Sequence, residues 1–412
     1  MTEPLGPRDG REWVFYLIAG EASGDELGAG LMRSLRERLA PAPVRFEGVG
    51  GHAMEAEGLA SAFPMAEINL MGYLPVLARL PQLLRRVHRT ADAVAALRPD
   101  ALVIVDSPGF TQEVAMRVRR RRPDVPIVNY VGPSVWAWRP WRARKMRPYI
   151  DHILALKPFE PDAHVRLGGP PCTYVGHPLI ERLAELRPAP GERPPLGEGP
   201  VRLLVLPGSR RSEVRRLMAP FGETLARAAA TAPPFEVTIP AVARLADEIR
   251  EAARAWPVEP RIVLGEEAKH RAFRGAHLAL VASGTVTLEL ALAGVPMVVA
   301  YKVSRLEGQI GKRLIKVPSI VLANLILGES AIPERVQWDC TPEKLAEALR
   351  PLFEDGAERR GQVEAFRRLD AIMATGDEAP SARAARIVLE VAGRARRGAP
   401  TPAPPLSLAE SG

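Results

Sequence analysis

Short runs of uninterrupted apolar residues alternate along this chain with longer stretches whose apolar positions recur every three or four residues. Residues 13–18, 44–49, 101–105, 126–131, 152–156 and 173–175 read as strands, and segments such as 27–39 and 75–97 read as the helices between them. Strands apolar on both faces, with helices between, predict a parallel, doubly wound sheet. The stretch RPAPGERPPLGEGP, residues 187–200, breaks the rhythm and reads as a linker. The alternation then restarts with strand runs at 201–206, 236–239, 261–264, 278–281 and 297–300. The expectation is therefore an α/β fold with two Rossmann-like domains facing a cleft. The first spans 1–187 and the second 201–355, with a linker at 188–200, closing helices at 356–395 and a disordered tail at 396–412. Those closing helices either return onto the first domain or pack on a second subunit, so a homodimer is one of two arrangements left open.

Composition narrows the class. At 412 residues, 47% hydrophobic and 25% charged, the chain is globular and long enough for two cores. Its start, MTEPLGPRDGREW, is polar, and no apolar run reaches the roughly 18–20 residues that cross a bilayer. A chain neither secreted nor integral to a membrane is expected. The two cysteines, Cys172 and Cys340, cannot build a disulfide framework or a thiolate zinc site, and His52, His152, His164 and His177 are scattered. No D-x-D occurs, so neither a metal nor another cofactor is expected. The net charge of +8 comes mostly from arginine. It reflects either codon bias or binding of phosphate and anionic lipid surfaces. No zinc finger, basic-plus-heptad region or RNP-like strand points to nucleic acid.

Six segments could carry chemistry, each with a plainer reading beside it. After the first strand come Gly20, Glu21, Ala22, Ser23, Gly24 and Asp25. They form either a tight turn capped by Ser23 or Asp25, or a sugar or phosphate site at a helix N-terminus. Asp106 emerges from the run ALVIV at the position where doubly wound sheets bind ligands, as a partly desolvated base or as a helix cap. Trp136, Trp138 and Trp141, followed by RARKMRP, are either loop packing or an aromatic, basic wall. Gly208, Ser209 and Arg210 could hold a diphosphate through backbone N–H groups and a guanidinium, or be a surface turn. Ser283, Gly284 and Thr285 repeat that pattern, with Glu289 placed to accept from ribose hydroxyls, or else simply cap a helix. Finally Met71, Leu74, Leu77, Leu80, Leu83, Leu84 and Val87 recur at helical spacing, interleaved with Arg79, Arg85 and Arg86. Such a stripe faces a core or lies in a lipid interface.

The runs AGEASGDELGAG, GVGGHAM, MGYLPVL, VDSPGF, YVGPSVWAWR, GHPL, LPGSRRSEV, ASGTVTLE and ANLILGE, in this order, resemble the lipid-A-disaccharide synthase family, and PSVWAW is the most diagnostic. The resemblance covers residues 19–349 and implies the GT-B fold, with UDP mainly on the C-terminal domain. It implies an inverting transferase that moves 2,3-diacylglucosamine from UDP-2,3-diacylglucosamine to 2,3-diacylglucosamine 1-phosphate. The β(1→6) disaccharide of lipid A biosynthesis and UDP are the products. The family needs no known metal and works peripherally on the cytoplasmic face of the Gram-negative inner membrane, so membrane lipids become expected partners.

By the same resemblance Asp106 is the candidate base, with Glu21 and Arg210 beside it as catalytic candidates. Ser283, Gly284, Thr285 and Glu289 fall on the family's UDP-binding segment. Asn324, Glu334 and Gln337 fall on the family's cleft positions, and Ser23 and Trp136, read from their own motifs, join them as cleft or substrate candidates. Met71, Leu74, Leu77, Leu80, Leu84 and Arg85 form the lipid-facing stripe. The chain departs from the family pattern at Gly109, where a second acid is frequent, and at Gly132, where serine is frequent. Other UDP-GlcNAc-using GT-B transferases, or a 2-epimerase, are the alternative: they share the second domain's logic but not PSVWAW.

Overall fold

A computed structural model describes residues 12–69, 79–304, 308–309 and 317–396. The positions Met71, Leu74 and Leu77, and nearly all of the 396–412 tail, lie outside the described residues. The chain divides into two compact units, residues 1–178 with 375–412, and residues 179–374.

The first unit is built on a seven-stranded sheet in the order β3-β2-β1-β4-β5-β6-β7. The strands are β1 (Trp13–Ala19), β2 (Val44–Val49), β3 (Ala60–Ser61), β4 (Ala101–Val105), β5 (Ile127–Tyr130), β6 (His152–Ala155) and β7 (Cys172–Tyr174), and every pair is parallel. The central strands WVFYLIA and ALVIV are buried throughout. Because successive side chains alternate in direction, Phe15, Leu17 and Val103 enter one core while Tyr16, Ile18, Leu102 and Ile104 enter the other. Helices Ala22–Leu39 and Pro380–Arg396 pack against each other on the first face. Helices Leu80–Leu97 and Pro108–Arg121 pack together on the second.

The second unit repeats the plan with six strands in the order β10-β9-β8-β11-β12-β13. They are β8 (Val201–Leu206), β9 (Phe235–Ala241), β10 (Arg261–Leu264), β11 (Leu278–Ala282), β12 (Met297–Tyr301) and β13 (Glu334–Val336), again all parallel. The helix Ala357–Met373 packs here, against Val286–Leu292 and Leu322–Leu327. The proline-rich segment read as a linker is tied down on this unit. The Arg193 guanidinium donates to the carbonyls of Phe273, Arg274, Ala293 and Gly294 at 2.8–3.1 Å. Two strands, β3 and β13, are absent from the sequence expectation, because neither AS nor ERV is an apolar run.

Candidate functional site

Each sheet reverses its winding direction once, between β1 and β4 in the first unit and between β8 and β11 in the second. Ligands of doubly wound sheets sit outside the carboxyl ends of the strands at that point. In the first unit Ala19 pairs with Val105, so the turns that follow lie side by side. A Cβ on Gly20 would come within 2.2 Å of Ser107 Oγ, which is why that position carries glycine. Glu21 and Asp106 therefore leave adjacent strands on neighbouring turns.

The helix after β1 begins at Ala22, earlier than its apolar period shows, and its N-cap is Glu21, whose side chain makes no capping bond. This corrects the reading of Ser23 or Asp25 as the cap. Ser23 is exposed on the first turn. The buried Asp25 carboxylate instead accepts from the N–H groups of Gly51 (2.7 Å), Ala53 (2.9 Å) and Met54 (3.2 Å), capping the next helix, His52–Ala56. The glycines that follow serve close packing: a Cβ on Gly28 would meet Met54 Sδ at 2.6 Å.

Asp106 and Ser107 hold positive φ, 49° and 43°, and Val131, after the neighbouring β5, holds 64°. Such backbone is uncommon for non-glycine residues and clusters at functional sites. The Asp106 N–H donates to Tyr130 O (3.0 Å), Asp106 Oδ1 accepts from the Ser107 N–H (2.8 Å), and Thr111 Oγ1 donates to Asp106 O (2.7 Å). The N-cap of the following helix is Ser107, so Asp106 stands one residue outside it, half-buried.

Beside these turns lies a cavity of about 540 Å³. Glu21, Ser107, Gly109 and Glu113 edge it, and Ile68, Leu80, Leu83, Leu84, Val87 and Phe110 form its wall. Leu80 and Leu84 are each 42% exposed, a high value for leucines beside a cavity. Arg85 is exposed on the same helix, whereas Arg86 is drawn to Glu67 (2.8 Å) and lies over the Phe63 ring (4.5 Å). The tryptophans divide. Trp136 is locked, its indole N–H on the buried Glu160 (3.0 Å) and its ring edge-on to Phe159 (5.0 Å). Trp138 and Trp141 are exposed, beside Arg139 (4.2 Å) and Lys145 (5.8 Å).

In the second unit Leu206 pairs with Val281, and the turns after β8 and β11 share a cavity of about 600 Å³. Gly208 lies at φ 109°, where a Cβ would meet Glu213 Oε2 at 2.4 Å. The N–H groups of Ser209 and Arg210 both donate to that oxygen at 3.1 Å, so they are not the open donors their sequence suggests. Arg210 pairs with Glu213 Oε1 (3.0 Å), but its side chain is 63% exposed and can swing away. Ser283 is likewise engaged, its N–H on Ala300 O and its hydroxyl on Ile320 O, both at 3.0 Å. Gly284, Thr285 and Glu289 line the cavity. Asn324 is buried, bonded in both directions to the Ile332 backbone (2.9 Å) and to Glu334 (2.8 Å), while Ser319 and the Ile320 N–H also donate to Glu334. Gln337 pins the Val303 backbone at 2.9 and 3.0 Å. These three residues are engaged in bonds within the second unit, and none of them lines the cavity.

Two cavity residues escape sequence reasoning. Glu213 organises the β8 turn, and Lys269, on helix Glu266–Gly275, lies 2.9 Å from Glu289. In the run EEAKHRAF a lysine reads only as a solvated helix face. Among the described residues no group of three or more His, Cys, Asp or Glu is placed to hold a metal ion. No described helix is long and apolar enough to cross a membrane.

Residues 15–388 match a family model described as lipid-A-disaccharide synthetase. The lipid-A-disaccharide synthase of Nitrobacter hamburgensis is 57% identical over 375 residues, which is 91% of this chain and 94% of that protein. That of Bradyrhizobium diazoefficiens is 55% identical over 391 residues, 95% of this chain and 99% of the relative. Among solved structures, the UDP-GlcNAc 2-epimerase of Neisseria meningitidis bound to UDP-GlcNAc superposes with a TM-score of 0.56 at 11% identity, covering 92% of this chain and 99% of that one. The calicheamicin glycosyltransferase CalG4 gives 0.53 at 18% identity, covering 93% and 98%. These two likenesses carry the fold, which is of the GT-B type.

Proposed function

Because the chain belongs to the lipid-A-disaccharide synthetase family, and so is a glycosyltransferase of lipid A biosynthesis, we propose that its two cavities divide one transfer between donor nucleotide and acylated acceptor. The donor is UDP-2,3-diacylglucosamine and the acceptor 2,3-diacylglucosamine 1-phosphate. The second-unit cavity takes the UDP: Arg210, released from Glu213, and the turn of Gly284 and Thr285 meet the diphosphate, and Glu289 meets the ribose. The first-unit cavity takes acyl chain and sugar of the acceptor, with Glu21 orienting its polar end.

The observation that carries this reading is the apolar wall of Leu80, Leu83, Leu84 and Val87 next to Glu21 and Ser107, one residue from Asp106. An apolar cavity beside a strand-end carboxylate suits a substrate that is both lipid and sugar. Asp106 takes the proton of the acceptor 6′-hydroxyl as its oxygen attacks the anomeric carbon. The new C–O bond forms while the bond to the diphosphate breaks in line, inverting that carbon, and UDP leaves with the electron pair. Positive charge at Arg210 stabilises the developing negative charge. The exposed Leu80 and Leu84, with Arg85, contact lipid at the inner face of the inner membrane.

The test is UDP release from UDP-2,3-diacylglucosamine in detergent micelles, with and without 2,3-diacylglucosamine 1-phosphate. Acceptor-dependent release with a disaccharide product is expected. Epimerisation or transfer of non-acylated UDP-GlcNAc, without that product, would overturn the assignment of the first-unit cavity.

A further inference from the structure

The charged residues lining the second-unit cavity are Arg210, Glu213, Glu266, Lys269 and Glu289. Three carboxylates face two cations, an unexpected balance for a cavity that receives a diphosphate. The two cations are used differently. Arg210 has one carboxylate partner and an exposed side chain. Lys269 is only 20% exposed and sits between two carboxylates, with Nζ 2.8 Å from Glu266 and 2.9 Å from Glu289. Burial pulls the Lys269 pKa down, but the carboxylates of Glu289 and Glu266 outweigh it and hold it above the ordinary value. The ammonium is thus neutralised twice over and has no surplus charge for a phosphate. Glu289 is the better-hidden partner: its side chain is 13% exposed, and Oε2, the oxygen that meets Lys269, is sealed from solvent.

We propose that Lys269 is a positioning residue, which holds the Glu289 carboxylate where it accepts hydrogen bonds from the two ribose hydroxyls of the donor nucleotide. This rests on the reading of the second-unit cavity as the UDP site. Lys269 holds the sealed Oε2 of Glu289, which stops the carboxylate turning away from the cavity and leaves Oε1 to the ribose hydroxyls. Glu266, one helical turn from Lys269, keeps the ammonium from moving to the incoming diphosphate. Recognition of the ribose hydroxyls then resides at Glu289, and the phosphates are left to Arg210.

Calorimetric titration of the full chain with UDP and with 2′,3′-dideoxy-UDP separates the possibilities. Lys269→Met should lower UDP affinity about tenfold, the size of one lost charged hydrogen bond. It should leave 2′,3′-dideoxy-UDP affinity within about twofold, and Lys269→Arg should recover most of the loss. Equal losses for both ligands would mean that Lys269 touches phosphate; no loss for either would mean that it only supports the fold. Both overturn the assignment. The double variant Lys269→Met/Glu289→Gln removes the buried charge imbalance that could unfold the single variant. It must bind UDP no worse than Glu289→Gln, and a further loss counts against the proposal. If the unmodified chain binds no UDP at all, the nucleotide-site reading itself falls, an outcome distinct from an unaltered preference between the two ligands.

Discussion

At residue scale, Asp106, Ser107 and Val131 hold positive φ at the carboxyl ends of β4 and β5, each at a cost of about 1–3 kcal/mol. Surrounding bonds from Tyr130 and Thr111 keep Asp106 in that conformation. Asparagine tolerates the same backbone, so Asp106→Asn removes the proposed base without disturbing the turn. Turnover should fall about 10²–10⁴-fold, with UDP affinity unchanged by calorimetry. Normal turnover in that variant would reduce Asp106 to a turn residue.

The helix Leu80–Leu97 shows how one element serves two ends. Val87, Thr90, Ala91 and Val94 are buried on the face turned to the sheet. One turn and two turns earlier, Leu84 and Leu80 remain half-exposed at the cavity. Burying such a side chain against an acyl chain contributes about 1 kcal/mol. Leu84→Ser should therefore raise the KM for the acylated acceptor roughly fivefold and leave UDP affinity alone. An unchanged KM would remove Leu84 from the acceptor site.

At the scale of the whole molecule, the first unit carries an acid-sensitive core. Burial pushes both His152 and His177 from 6.5 down to about 4, with Arg394 adding to the effect at His152 and Lys157 at His177. Between those values the unfolded chain binds protons that the folded chain refuses. Stability is therefore complete above about pH 6.5 and falls as pH drops toward 4, by roughly 1–3 kcal/mol for each histidine. Urea midpoints measured at pH 7.5 and 4.5 should show that loss, and His152→Gln/His177→Gln should shrink it. An equal loss in the double variant would assign the acid sensitivity to other groups.

Sequence alone determined the two parallel sheets, because strands buried on both faces are written as continuous apolar runs such as WVFYLIA, ALVIV and LALVA. It also marked the turns after β1, β4, β8 and β11 as candidate ligand turns, since glycine- and serine-bearing segments follow those runs. Only the tertiary structure decided which turns become neighbours, by pairing β1 with β4 and β8 with β11. It decided too which polar groups stay open. Glu213 occupies the Ser209 and Arg210 N–H groups, Asn324 and Glu334 satisfy each other, and Asp25 caps a helix other than its own. Such pairings join groups by distance in space, and a periodic pattern along one segment holds no record of the segment packed against it. The contact of Lys269 with Glu289 is of the same kind: two helices supply it, and neither sequence announces it.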